Sequence, residues 1–116
     1  MKLIIAGSRT INLGANAIDI FLRHFKLSPK EIVSGGALGV DKSGEEFSKL
    51  VSYVNLVKFP ADWNTHGKSA GPIRNRQMAD YSDSLLLIWD GQSRGSKNMK
   101  REMEKLGKPI YEVILK

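Results

Sequence analysis

Glycine is concentrated in one short stretch of the sequence, residues 35–41 (GGALGVD), which ends in Asp41. The apolar pair Ile32 and Val33 precedes it, as expected before the turn that follows a buried strand. Ordering glycine costs more backbone entropy than ordering any other residue, so this backbone needs a freedom that a side chain would remove. A strand, a glycine turn and a helix start together form an anion site, because the first N–H groups of a helix are unpaired. Phosphate binding and a simple tight turn explain this stretch equally well.

Three further clusters of glycine, serine and charged residues also follow apolar segments. They are Gly7-Ser8-Arg9, residues 71–76 (GPIRNR) and residues 90–96 (DGQSRGS). The third cluster leads into a helix, so the chain has two glycine loops of the kind that hold phosphate. Two such loops with arginines nearby favour a phosphate-bearing ligand over turns alone.

The charged residues of these clusters are the candidates for direct contact. Arg9 is expected to hold a phosphate or a ribose, or to pair with Asp41 or Asp90. Arg74 and Arg76 lie two residues apart and cannot share a helix face, so one is expected to face the ligand and the other the surface or an interface. Asp41 either caps the second helix or bonds sugar hydroxyls. Asp90 ends an apolar strand, where a carboxylate is costly without a purpose, so it contacts sugar, activates water or caps the next loop.

Apolar periodicity alternates between helix and strand along the chain. Ile18, Leu22 and Phe25 recur at helical spacing, whereas residues 84–89 (SLLLIW) are apolar enough for a strand buried on both faces. This alternation predicts right-handed βαβ units and one α/β domain over residues 1–116, a Rossmann-like three-layer αβα sandwich with a five-stranded parallel sheet. The predicted strands are residues 2–6, 31–34, 54–59, 84–89 and 109–115. The predicted helices are residues 15–26, 40–51, 71–81 and a last one that carries Met99, Met103 and Leu106 and stops at Gly107.

The four clusters are expected to meet in space, because ligands of such sheets bind beyond the carboxyl ends of the strands, where the strand order reverses. Arg74 and Asp90 are also the candidates for catalysis, should the ligand be turned over. The predicted ligand-binding residues are Gly7, Ser8, Arg9, Gly35, Gly36, Ala37, Gly39, Val40, Asp41, Arg74, Asn75, Asp90, Gly91, Ser93, Gly95 and Ser96.

Composition limits the chemistry further. Cysteine is absent, which excludes disulfides and thiolate chemistry, and the two histidines have no zinc-binding spacing, so no metal site is expected. The net charge of +6 favours a phosphate-bearing partner, either a nucleotide or a nucleic acid. The longest apolar run, residues 85–89, is too short to cross a membrane, and the N-terminus lacks the apolar region of a signal peptide. A cytoplasmic protein with no membrane contact is therefore expected.

Four other residues have ordinary structural explanations. Trp63 and Trp89 are expected in the core or an interface rather than stacked on a base. His66 lies in a loop rich in polar residues and glycine, where a lone histidine is weak evidence for acid–base chemistry. Met99, with the other methionine of the last helix, is expected in the core.

The motifs taken together resemble the YspA-like proteins of the SLOG superfamily, which also includes the Lonely Guy enzymes and the DNA-processing protein DprA. The resemblance covers nearly the whole chain and implies a Rossmann-like fold, a nucleotide or nucleotide-derived ligand, and a homodimer or higher homo-oligomer. Many YspA-like proteins are small and encoded by bacteria or phages. The motifs that carry the resemblance are residues 1–10 (MKLIIAGSRT), 32–41 (IVSGGALGVD), 59–79 (FPADWNTHGKSAGPIRNRQMA) and 86–99 (LLIWDGQSRGSKNM).

The Lonely Guy enzymes hydrolyse the N-glycosidic bond of nucleoside 5′-monophosphates, and the resemblance places Arg74 at their functional arginine. Their second motif, P-G-G-x-G-T-x-x-E, matches Gly95 and Ser96 at its G-T, but Met99 stands where the glutamate belongs. Methionine cannot transfer a proton, and Glu102 lies three residues further on. The resemblance thus retains phosphate binding and puts hydrolysis in doubt.

The preferred prediction is a nucleotide-binding protein that acts as a sensor or sequesters its ligand. A hydrolase that cleaves the N-glycosidic or phosphate bond is the first alternative, with Asp90 and then Asp41 as its carboxylate, because an oxocarbenium-like state needs one nearby. Binding of single-stranded nucleic acid is the second alternative, supported by the positive charge and the two tryptophans. No cofactor is required, although Asp90 could hold Mg²⁺ with a polyphosphorylated ligand.

Overall fold

The structure, a computed structural model, describes residues 1–115 and contains alternating strands and helices. The strands are β1 (Lys2–Gly7), β2 (Glu31–Ser34), β3 (Asn55–Lys58), β4 (Ser84–Trp89) and β5 (Ile110–Ile114). The helices are α1 (Ala15–His24), α2 (Val40–Leu50), α3 (Trp63–His66), α4 (Ala70–Tyr81) and α5 (Arg94–Lys105), with a 3₁₀ turn at Gly67–Ser69 between α3 and α4. None of the helices within residues 1–115 is long and apolar enough to span a bilayer.

The five strands form one parallel sheet in the order β3-β2-β1-β4-β5. The chain builds the sheet outwards from β1 through β2 to β3, and then returns to the other side of β1 for β4 and β5. The strand order therefore reverses at β1, whose Leu3 is paired with Ile32 on one side and Ser84 on the other. The predicted parallel sheet is confirmed.

Helices cover both faces of the sheet, because alternate residues of the central strands point to opposite sides. Leu3 and Ile5 of β1 pack in one core cluster with Ile18 of α1 and Phe47 of α2. Ile4 of β1 belongs to the other cluster, together with Met78 of α4 and with Met99 and Met103 of α5. These two cores make the three-layer αβα sandwich that the sequence predicts, and they confirm the expected burial of the methionines.

The structure differs from the predicted elements in two places. The segment before α4, expected as a long loop, includes the single turn of α3, because the side chain of Asp62 accepts a hydrogen bond from the N–H of Thr65 at 3.1 Å. Helix α5 ends before Leu106, which was expected on its buried stripe and is 46% exposed. The adjacent Gly107 adopts a φ of 66°, a conformation that commonly ends helices.

Candidate ligand-binding cleft

A cleft with two lobes opens at the carboxyl ends of the strands, where the strand order reverses. Lobe 1 has a volume of about 500 Å³ and lobe 2 a volume of about 280 Å³. Arg9, Ala37 and Arg74 line both lobes, so they form the junction between them. All four predicted clusters contribute residues to lobe 2, and Gly35 and Gly36 of the glycine turn also border lobe 1. The sheet thus brings together segments that are far apart in the sequence.

Lobe 1 is a mostly apolar space with cations at its edges. Trp63 lies on α3 with 52% of its surface exposed, so the indole forms an open wall and is not a core residue. Lys58 stands at the end of β3, beside the apolar residues that follow that strand. Lobe 1 is lined by Arg9, Gly35, Gly36, Ala37, Leu38, Lys58, Pro60, Ala61, Trp63 and Arg74.

Lobe 2 is more polar and lies at the start of α5. The hydroxyl of Ser93 accepts a hydrogen bond from the N–H of Ser96 and caps this helix. Helix N-termini carry partial positive charge, and Arg94 adds a full one. Lobe 2 is lined by Ala6, Gly7, Arg9, Ala37, Asp41, Arg74, Asn75, Met78, Ser93, Arg94, Gly95, Ser96 and Met99.

Three N–H groups of the glycine turn after β2 are bonded to other groups of the protein. The N–H of Gly36 donates to the hydroxyl of Ser34 at 3.1 Å, and the N–H of Ala37 donates to Oδ2 of Asp41 at 3.3 Å. The Val40 N–H donates to the backbone carbonyl of Ser8 at 3.3 Å. These three N–H groups of the turn are therefore already bonded within the protein.

Glycine is needed in this turn because other parts of the protein pass very close to it. A Cβ added at Gly35 would lie 2.6 Å from Nη1 of Arg74, and one added at Gly39 would lie 2.3 Å from the carbonyl oxygen of Ser8. Gly39 also has a φ of 76°, which side-chain-bearing residues rarely adopt. The glycines make room for an arginine of the cleft and for the backbone before Arg9.

Arg74 is fixed in place by bonds from two sides. Its Nη1 donates to the carbonyl oxygen of Gly35 at 2.5 Å, and its Nε donates to Oδ1 of Asn75 at 3.0 Å. The Asn75 amide in turn donates to Oδ1 of Asn98 on α5 at 2.8 Å. Arg76 points elsewhere, with its Nε 3.5 Å from Glu102 and its side chain 70% exposed. Of the two arginines, Arg74 is therefore the one that faces the cleft.

Asp41 is a buried carboxylate in the wall of lobe 2, with only 5% of its surface exposed. Burial raises its pKa from an ordinary 3.8 to about 6, although the Ala37 N–H and the charge of Arg74 oppose the rise. Among the described residues that line either lobe, it is the one carboxylate. The cleft therefore contains a group that titrates just below neutral pH.

The raised pKa of Asp41 predicts how stability depends on pH. The folded protein binds the proton of Asp41 more tightly than the unfolded chain does. The free energy of unfolding therefore falls as the pH rises from about 4 to 6 and Asp41 loses this proton. We expect Asp41→Asn to match the wild type near pH 4 and to exceed its unfolding free energy at pH 7 by on the order of 3 kcal/mol. Urea unfolding of both proteins between pH 4 and 8 measures the difference.

Asp90→Asn is the matched control, because the pKa of the Asp90 carboxyl is shifted in the opposite direction to that of Asp41. Backbone N–H groups of Gln92 and Ser93 lower the pKa of Asp90, so its contribution to stability is present above about pH 4 and is lost in acid. The control is expected to be less stable than the wild type at pH 7. A stability difference between Asp41→Asn and wild type that stays constant across this pH range would contradict the assignment.

Asp90 shapes the loop before α5 instead of lining the cleft. Its Oδ1 accepts hydrogen bonds from the N–H groups of Gln92 at 2.8 Å and Ser93 at 2.9 Å, while its own N–H donates to the hydroxyl of Ser8 at 3.0 Å. Of the three roles expected for Asp90, these bonds correspond to capping of the next loop. Five of the predicted site residues line neither lobe. They are Ser8, Gly39, Val40, Asp90 and Gly91.

Half of the residues that line lobe 1 were not predicted from the sequence. Lys58 is the last residue of β3 and Pro60 follows shortly after it, so the rule that strand ends share one edge could have included them. Trp63 had no such signal, because the segment around it shows no periodicity. The lining residues that were not predicted are Leu38, Lys58, Pro60, Ala61 and Trp63 in lobe 1 and Ala6, Met78, Arg94 and Met99 in lobe 2.

Two residues raised by the family resemblance have clear positions. Met99 is buried and lines lobe 2, whereas Glu102 lies outside both lobes and pairs with Arg76 and Lys105. Glu102 therefore does not supply the carboxylate that the motif has at the position of Met99. Trp89 is buried, and its indole N–H donates to Glu112 at 2.7 Å, so it is structural as expected.

The cleft is strongly cationic and has no metal-binding cluster. Arg9, Arg74 and Arg94 form no ion pair with any residue between 1 and 115. In the same part of the chain, no three histidine or acidic side chains come together in a way that could hold a metal ion. A ligand with negative charge is therefore better matched to the cleft than a cation.

The chain is similar to the Gene 61 protein of Mycobacterium phage D29. The two are 29% identical over 116 residues, which cover 94% of this chain and 93% of the phage protein. Neither a protein-family profile nor a solved structure matches the chain. A phage relative agrees with the expectation of a bacterial or phage-encoded protein, while its name states no ligand or activity.

Proposed function

We propose that the cleft binds a nucleotide or a nucleotide-derived ligand, with its phosphate in lobe 2 and its base in lobe 1, and that the protein acts as a sensor or sequesters this ligand. The observation that carries the proposal is the position of Arg9 and Arg74, which line both lobes without an ion-pair partner in the described chain. Guanidinium groups match phosphate oxygens in charge and geometry. The junction is therefore suited to the charged part of a ligand that extends into both lobes.

Lobe 2 supports the phosphate because it lies at the start of α5. The first N–H groups of a helix have no partner within it, and a phosphate there also meets the positive end of the helix dipole. Gly95 leaves this approach open, since a Cβ at this position would have no neighbour within 4 Å. Arg94 and the hydroxyl of Ser96 add further donors at the same helix start.

Lobe 1 supports the base because it offers a flat, apolar surface. Trp63 is exposed at its wall, and Leu38 and Pro60 are among the other residues that line the lobe. Stacking of a base on an aromatic side chain contributes roughly 1–3 kcal/mol. The ribose then lies near the junction, beside Ala37 and Asp41.

Binding without turnover is preferred because two expected catalytic positions lack a free carboxylate. Met99 stands in lobe 2 where a glutamate would be needed, and Asp90 is bonded to the backbone of its own loop. A nucleotide hydrolase remains the second candidate, and Asp41 is the observation that favours it. Its carboxylate is buried in lobe 2 with a pKa of about 6, which suits proton transfer near neutral pH.

Native mass spectrometry over time, with a panel of nucleoside mono-, di- and triphosphates and cyclic nucleotides, tests the proposal. We expect one intact nucleotide per chain and no loss of base or phosphate during the incubation. The same spectra report the number of chains in the assembly and so test the expected homodimer. Free base and ribose phosphate would establish the hydrolase instead, and Asp41→Asn should then stop the reaction.

A panel in which no nucleotide binds would refute the proposal. Single-stranded DNA is then the next ligand to test, with affinity measured at low and high salt. Binding through phosphates weakens steeply as salt rises. An affinity for DNA that does not change with salt would remove that alternative as well.

A further inference from the structure

Lobe 1 offers hydrogen-bond donors from its side chains and no acceptors. Its polar lining side chains are those of Arg9, Lys58, Trp63 and Arg74, and within residues 1–115 no carboxylate, amide or hydroxyl side chain lines it. Arginine, lysine and the indole N–H can only donate. A base edge that presents acceptor atoms is therefore matched to these side chains better than a base edge that presents an amino group.

Lys58 is the cation of lobe 1 that stands apart from the junction. Arg9 and Arg74 line both lobes and are matched to the phosphate, whereas Lys58 lines lobe 1 alone. It lies at the end of β3, and its side chain is 55% exposed. Its ammonium has three donors, and its ion-pair partner among residues 1–115 is Glu45.

This ion pair positions the ammonium beside a buried carboxylate. Nζ of Lys58 lies 3.2 Å from Oε1 of Glu45, a residue of α2 that is only 5% exposed. Oε2 of Glu45 accepts a hydrogen bond from the hydroxyl of Ser34 at 2.7 Å, and this hydroxyl accepts the N–H of Gly36 at 3.1 Å. Glu45 therefore links Lys58 to the glycine turn that forms part of the same lobe.

We infer that lobe 1 selects a 6-oxopurine base, guanine or hypoxanthine, and that Lys58 is the residue that recognises it. Lysine and arginine donate readily to O6 and N7 of guanine, whereas adenine presents its amino group, a donor, in place of O6. A lobe of about 500 Å³ has room for a purine. The inference rests on the proposed nucleotide function and names the class of base.

Isothermal titration calorimetry with GMP, IMP and AMP, on the wild type and on Lys58→Met, tests this inference. We expect the wild type to bind GMP and IMP about tenfold more tightly than AMP, in line with the discrimination of a good contact to a base edge. Lys58→Met should lower this preference to less than about threefold and leave the affinity for AMP within about twofold. Lys42→Met is the matched control, because Lys42 is exposed on α2 and lines neither lobe.

The possible failures are distinct. If AMP binds as tightly as GMP to the wild type, the choice of base is wrong and the nucleotide proposal stands. If the preference for GMP is unchanged in Lys58→Met, or falls equally in Lys42→Met, the role of Lys58 is wrong. If none of the three nucleotides binds, the proposed function and this inference fail together.

Glu45→Gln tests the positioning role of the buried carboxylate separately. The amide oxygen can still accept from Ser34, while the charge that holds Lys58 is gone. We expect the GMP-to-AMP preference to fall part of the way towards that of Lys58→Met. A preference equal to that of the wild type would show that Glu45 serves stability alone.

Discussion

Gly39→Ala is expected to destabilise the protein by on the order of 3 kcal/mol, the sum of two separate effects. The residue has a φ of 76°, and its new Cβ would lie 2.3 Å from the carbonyl oxygen of Ser8. That oxygen belongs to the backbone and cannot move aside without shifting Arg9. Thermal unfolding followed by circular dichroism should show the melting temperature lowered by roughly 10 °C or more.

Gly36→Ala separates the backbone strain from the steric clash. Gly36 has the same φ of 76°, but nothing lies within 4 Å of a Cβ added there. We expect this variant to lose only on the order of 1 kcal/mol. Equal losses in the two variants would mean that close packing against the Ser8 backbone contributes nothing.

Arg74→Met is expected to weaken nucleotide binding about 10- to 100-fold, as removal of hydrogen bonds to a charged group does. The side chain lines both lobes, so its loss removes positive charge from the junction. It also removes the bond to the carbonyl oxygen of Gly35, which loosens the turn. Isothermal titration calorimetry with the tightest nucleotide of the panel gives the affinity.

Arg76→Met is the matched control on the same helix. Arg76 carries the same charge two residues away, but it faces Glu102 and is largely exposed. Its replacement should change the affinity less than about twofold, with thermal unfolding showing that both variants fold. If the two variants bind equally well, the charged part of the ligand does not lie at Arg74.

The fold was predictable because local pattern and topology agree in this chain. The apolar run of β4 after Ser84 and the helical spacing of Ile18 and Leu22 leave few alternatives to a parallel sheet between helices. The errors lie at helix ends and in short turns. Leu106 continues the apolar pattern of α5, and Gly107 was expected to stop the helix, but the helix already ends at Lys105. Periodicity alone does not show at which residue before that glycine the helix ends.

The candidate site was predictable only in part, because the sequence shows which segments meet and does not show which way side chains point. The glycine turn, Arg9 and Arg74 were identified from their places after strands or at a helix start, and they line the cleft. Asp90 has an equally suggestive position, yet its carboxylate bonds to two N–H groups of its own loop. Whether the Asp90 carboxylate faces the cleft or bonds to its own loop depends on the local conformation of that loop. Trp63 reaches the cleft through a single helical turn that has no apolar period.

The central position of β1 has a consequence for the order in which the protein is made. β1 is the first strand to be synthesised, but one of its two neighbours, β4, follows about 80 residues later, as the bond between Ser8 and Asp90 across 82 residues illustrates. At about 5–20 residues per second, β1 waits several seconds beside β2 with one apolar edge unpaired. Such an edge is open to wrong partners. This edge of β1 gains its native partner only when residues 84–96 emerge, and the cleft gains the start of α5 at the same stage.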